Sequence, residues 1–172
     1  MHAISLITNI NLIDGLGGAP RTRTSVLMDA GRIAWIGPDE NAPCVEDRLV
    51  IDGDGRSLIP GLINSHVHLA NDGSADLFEQ VVNDSLPIAS LRAAQNARYT
   101  LASGVTTVRD CGAANGIVIE LGKAVEAGLV EGPRIVAAGR VITMTGGHGY
   151  FMGREADGVD AIRHAVRAEI KG

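Results

Sequence analysis

Cysteine is nearly absent. Cys44 and Cys111 are the only two in 172 residues, far apart and outside any CxxC. That excludes a disulfide framework and a structural zinc knuckle, and it points to a reducing compartment. Lysine is equally scarce, at Lys123 and Lys171 only. No stretch approaches the ~18 consecutive apolar residues of a membrane span. Met1-His2-Ala3-Ile4-Ser5 lacks the basic start and long apolar core of a secretory signal. These absences predict a cytoplasmic protein with no membrane partner. The net charge of -5 carries no basic stripe, which argues against nucleic acid as a partner. What remains is an ordinary globular composition, 45% hydrophobic, able to build a packed core.

The pattern changes character near Pro60. Before it, β-prone segments alternate with turn signals: residues 3–13, 24–29 and 32–37, then short runs at 49–52 and 57–59. Asp14-Gly15, Gly17-Gly18, Ala30-Gly31 and Gly53-Asp54-Gly55 punctuate them. After it, strands alternate with helices. Ser85 and Pro87 are start signals for a helix whose Ala89, Ala93, Ala97 and Leu101 share one small-sided face, and Gly104 ends it. Val105-Thr106-Thr107-Val108 reads as a strand. A helix from about Asn115 follows, with Ile117, Leu121, Ala124 and Val125 on one stripe. Residues 133–138 form a third strand, and a last helix carries Val159, Ile162, Ala165, Val166 and Ile170. Such alternation predicts parallel βαβ units.

Chemistry concentrates in Leu58-Ile59-Pro60-Gly61-Leu62-Ile63-Asn64-Ser65-His66-Val67-His68. Strand residues two apart share a face, with Cβ atoms roughly 6.6 Å apart at a rise of ~3.3 Å per residue. Two imidazoles at that spacing can converge on one ion. Pro60-Gly61 before the pair and Asn71-Asp72-Gly73 after it place the histidines at the C-terminal end of a short, buried strand. Parallel α/β folds put their chemistry at such ends. Arg109-Asp110 and the loop Thr145-Gly146-Gly147-His148-Gly149 fall at the ends of the next two strands.

Residues 59–68 resemble the first barrel strand of the amidohydrolase superfamily of metal-dependent hydrolases, and the resemblance runs along essentially the whole chain. Gly104-Val105-Thr106-Thr107-Val108-Arg109-Asp110 and the Gly-Gly-His-Gly loop are similar to a branch that includes imidazolonepropionase-like enzymes and Xaa-Pro or Xaa-Arg dipeptidases. The resemblance implies an α/β fold in two parts. Residues 1–57 would be part of a composite β-sandwich. Residues 58–172 would be the first three βα units of a (β/α)₈ TIM-type barrel, an incomplete barrel. It also implies that His66 and His68 are metal ligands, for Zn²⁺ or another divalent metal, one ion or two. The implied activity is hydrolysis of a C–N bond in a small-molecule substrate, an amide, cyclic amide or dipeptide, through a metal-activated water. A homo-oligomer is an open expectation.

His148 either contacts substrate or an oxyanion from its loop, or hydrogen-bonds within a Gly-rich turn; its place after a strand favours substrate binding. Arg109 and Asp110 are read as structural, pairing with each other or with neighbouring backbone. Cys111 is read as a buried small hydrophobe, and His2 and His164 as surface residues. Asp72 and Asp76 are either acceptors for an imidazole N–H or solvated loop carboxylates.

The superfamily's binuclear branch also uses a carboxylated lysine on the fourth strand, histidines on the fifth and sixth, and an aspartate on the eighth. Lys123 and Lys171 fall on helices, so neither is assigned that role, and no catalytic residue is assigned within the chain. A complete barrel takes ~250 residues. The expectation is therefore the N-terminal portion of a longer enzyme, inactive alone. The alternative is a non-catalytic metal-binding fragment or pseudo-enzyme module that needs a complementing chain.

Overall fold

The computed structural model describes residues 5–44 and 49–171, in two compact units, residues 1–60 and 61–172. The first unit is one mixed sheet. Its centre is β1 (Ser5–Leu12), antiparallel to β2 (Arg21–Asp29), which pairs in turn with β3 (Arg32–Pro38). β4 (Leu49–Asp52) and β5 (Ser57–Leu58) lie parallel along the other edge of β1. The β2–β3 turn places Ala30 and Gly31 at φ 49° and 74°. Two successive positive φ values match the twist of a tight hairpin. A bulge in β1 puts Asn9 at φ 53°. Asn9 tolerates that conformation because its polar groups are occupied: the backbone N–H donates to Asp39 Oδ1 and the side-chain amide to Asp52 Oδ1, both at 3.0 Å. Ile10, Leu12 and Val26 form a small core on this sheet.

The second unit is α/β. β6 (Leu62–Val67), β7 (Val105–Asp110) and β8 (Arg134–Ala137) form a parallel sheet in chain order. The crossovers are α1 (Leu77–Asn83) with α2 (Leu86–Ala102), and α3 (Ile117–Glu126). α2 packs its alanine face as expected: Ala93 and Ala97 are fully buried against Val108, Val118 and Leu121. Small side chains let the helix lie close to the strands. Beyond β8, β9 (Ile142–Thr143) and β10 (Arg154–Glu155) pair in parallel and frame the Gly-rich loop, and α4 (Gly158–Lys171) follows.

Two features depart from the sequence pattern. α1 lies outside the helices that the sequence pattern predicts: Leu77, Phe78, Val81 and Val82 recur at helical spacing, but the helix is only seven residues long and none of them is buried. Its start signal is Asp76, whose carboxylate caps the helix by accepting from the Glu79 N–H at 3.0 Å. The stripe of α4 is only partly used: Ala165 is buried, whereas Val159, Ile162, Val166 and Ile170 are exposed. α4 is instead anchored by Glu169, which accepts from the backbone N–H and side-chain Nε of Arg140 and pairs with Arg154. Among the described residues no helix is long and apolar enough to cross a membrane.

Candidate metal centre at the C-terminal end of β6

β6 delivers His66 within the strand and His68 one residue past its end. Their ring centroids are 5.4 Å apart and the planes are inclined by 70°. With Zn–N ~2.0–2.1 Å and each centroid about 1.1 Å behind its nitrogen, two imidazoles on one tetrahedral ion have centroids roughly 5 Å apart. The observed spacing fits that arrangement. β6 is not the buried strand that its apolar run suggests: it is an edge strand, with Leu62 to His66 exposed and His68 half-buried.

His68 is oriented by a backbone partner. Its Nδ1 lies 2.8 Å from the carbonyl oxygen of Gly112. A carbonyl only accepts, so Nδ1 carries the proton and Nε2 keeps its lone pair. Gly112 can present its carbonyl there because it sits at φ 143°, and a Cβ would collide with the Val141 side chain. Asp72 and Asp76 do not serve the imidazoles. Asp72 accepts from the Ser74 N–H at 2.8 Å, which holds its carboxyl below the usual aspartate range, and Asp76 caps α1.

The strand ends are stitched together by the Cys111 N–H on the Val67 carbonyl, the Ala138 N–H on that of Asp110, and the Ala113 N–H on that of Gly139. Asp110 is fully buried and Arg109 exposed, since successive strand residues point to opposite faces. They cannot pair with each other. Asp110 pairs with backbone, accepting from the N–H groups of Leu69 at 2.8 Å and Gly112 at 2.9 Å. Cys111, expected to be buried, is half-exposed, its Sγ 3.9 Å from the Ser65 carbonyl oxygen.

His148 is exposed on the loop between β9 and β10. That loop is tethered at its base. Asp157 accepts from both the backbone N–H and hydroxyl of Thr145, and Glu155 accepts from the Gly146 N–H. The hydroxyl bond, then the backbone bond, hold the Asp157 carboxyl below its ordinary range. The glycines have conformational reasons: Gly146 and Gly149 are at φ 68° and 73°. Phe78 of α1 meets Phe151 at 5.5 Å and Tyr150 at 6.4 Å between ring centroids, joining α1 to the segment that follows His148. The sequence reading missed this aromatic group, as well as Asn96 and Gly112. The Tyr150-Phe151 pair beside the Gly-rich loop was the available signal. An open cleft of about 450 Å³ flanks His68, bounded by Leu77, Asn96 and Tyr99.

Among the described residues, no three His, Cys, Asp or Glu side chains converge as a metal-ligand group. The structure therefore juxtaposes His66 with His68 and does not add His148 to them as a third ligand. His164 is exposed on α4, and His2 lies outside the described residues.

Comparison with known proteins agrees with this architecture. The amidohydrolase family model matches residues 57–172. An imidazolonepropionase from Micrococcus luteus is 30% identical over 158 residues, covering 81% of this chain and 39% of that protein. A solved amidohydrolase superposes with a TM-score of 0.84 at 32% identity, over 98% of this chain and 44% of that one. A Xaa-Pro dipeptidase solved with methionine in its active site gives 0.83 at 28% identity, over 98% and 45%. The chain thus spans roughly two fifths of the length of these relatives. With a family model matched along most of the sequence, the chain belongs to the amidohydrolase family.

Proposed function

We propose that this chain is the part of a metal-dependent C–N hydrolase that supplies two metal ligands, His66 and His68. The observation that carries the reading is the histidine pair itself, with centroids at ion-sharing distance and the Nδ1 of His68 committed to the Gly112 carbonyl. Imidazole donors suit Zn²⁺ among the divalent metals. When bound, such an ion supplies Lewis acidity toward a carbonyl oxygen and lowers the pKa of water. The chain's own contribution is positional. β6 sets the spacing of the two rings, Gly112 fixes the tautomer of His68, and the tethered loop holds His148 for contact with substrate.

In this reading residues 1–57 belong to a β-sandwich module and residues 58–172 are the first three βα units of an eight-unit barrel. The sequential parallel order of β6, β7 and β8 supports it, as do the relatives' greater lengths. The substrate class is an amide, cyclic amide or dipeptide, in line with the imidazolonepropionase and Xaa-Pro dipeptidase among the relatives. Catalytic zinc usually has three protein ligands. The 172-residue chain is therefore expected to bind metal without turnover, the further ligands being carried by residues outside it. A non-catalytic metal-binding module is the second reading, favoured by the lack of a third converging ligand among the described residues.

Assays with added Zn²⁺ or Mn²⁺ against Xaa-Pro dipeptides and imidazolone-type cyclic amides test the proposal. Expected are no turnover by this chain and robust turnover by a longer product that adds the remaining barrel units. Turnover by the 172 residues alone would overturn the incomplete site. An inactive longer product that still binds metal would favour the second reading.

A further inference from the structure

We infer that Asp110 and Asn96 are positioning residues for His68, Asp110 through the backbone N–H groups of Leu69 and Gly112 and Asn96 through the carbonyls of Leu69 and Asn71. Asp110 ends β7 on the face toward α2 and α3, and none of its surface is exposed. A buried carboxylate is costly unless its oxygens accept hydrogen bonds. Here each oxygen has one donor: Oδ2 takes the Leu69 N–H and Oδ1 the Gly112 N–H. These peptides flank the ligand. Leu69 follows His68 in the chain, and the Gly112 carbonyl accepts from His68 Nδ1. The result is a closed ring that runs from His68 through the Leu69 N–H, the carboxylate and Gly112 back to the imidazole. Asn96 of α2 braces its outer side. Its side-chain amide donates to the carbonyls of Leu69 at 2.9 Å and Asn71 at 2.8 Å.

This arrangement explains why a carboxylate, rather than an amide, stands at position 110. Two N–H donors converge on it, and an asparagine could accept only one of them well. Neither Asp110 nor Asn96 needs to touch metal or substrate. What they fix is the direction of Nε2. The importance of that direction rests on the proposed ligand role of His68; the positional claim itself does not.

The test is long-range ¹H–¹⁵N NMR of the histidine rings in the metal-free 172-residue chain and in D110N, N96A and V108A. Val108 is a fully buried core residue two positions before Asp110, so V108A is a control for general destabilisation. The native chain is expected to show His68 as a single Nδ1–H tautomer. D110N is expected to average its two ring-nitrogen shifts, with His148 and His164 unchanged, and to lower Zn²⁺ affinity by ~10–100-fold. V108A is expected to melt earlier and retain the single tautomer. An Nε2–H tautomer in the native chain, an unchanged His68 in D110N, or an equal loss in V108A would overturn the inference. Should D110N fail to fold, N96A is read by the same criteria. Zn²⁺ that moves neither His66 nor His68 in the native chain would overturn the ligand role and leave the tautomer result standing.

Discussion

At the scale of single residues, the Gly112 carbonyl does for His68 what a carboxylate does for many zinc-bound histidines: it settles which nitrogen carries the proton. The substitution G112A attacks this contact from the backbone side. A side chain at φ 143° is strained, and its Cβ meets Val141. Strain of that kind costs of order 1–3 kcal/mol. G112A is expected to lower stability by about that amount in urea titration and to weaken Zn²⁺ binding. Unchanged stability with unchanged Zn²⁺ affinity would contradict the contact. Part of this was legible in the sequence. The histidine pair declares itself by its spacing at the end of an apolar run. Asp110 was legible in part: pairing with neighbouring backbone was one of its two structural readings, but nothing in the sequence singles out the N–H groups of Leu69 and Gly112 as its donors. Asn96 lies among the polar positions of a helix, and nothing local distinguishes a side chain that pins a distant loop from a solvated one.

At the scale of elements, α2 and the tethered loop carry the two clearest consequences. The burial of Ala97 follows from a repeat of four residues, so the packing of α2 could be read in advance. A97L places a larger side chain where no room exists and is expected to cost roughly 1–3 kcal/mol. L91A, on the exposed face of the same helix, should stay within about 0.5 kcal/mol. Chemical denaturation of both variants checks this, and equal effects would mean that α2 does not seat on its alanine face. The α4 stripe shows where such reading stops. Periodicity identifies a helix and its apolar side but not what covers that side, and here the anchor is Glu169.

In the His148 loop, hydrogen bonds from Thr145 depress the pKa of Asp157. A carboxylate whose folded pKa lies below its unfolded value of ~3.9 stabilises the fold fully above that value and loses the effect as pH falls through the folded pKa. The tether should therefore hold at neutral pH and loosen in acid below about pH 4. Amide exchange at Thr145, whose N–H donates to Asp157, should lose protection there once corrected for intrinsic rates. D157N should weaken that protection at neutral pH and flatten its acid dependence. A native pH dependence in D157N would assign the transition to another group.

At the scale of the whole molecule, the family is shown by matches along most of the sequence, while the activity belongs to proteins more than twice as long. The histidine pair and its supporting ring are built within residues 61–172, from β6, α2 and β7 with the turns that follow the strands. Orientation of His68 is thus a local property of this chain, and among the described residues no third His, Cys, Asp or Glu side chain joins the pair. The central claim is that His66 and His68 jointly hold one divalent ion. Zn K-edge X-ray absorption on the stoichiometrically loaded chain, on H66A and on H68A tests it most directly. Expected is scattering from two imidazoles in the native chain and from one in each variant, with weaker binding in both. A native spectrum without imidazole scattering, or spectra that the two substitutions leave unchanged, would contradict it.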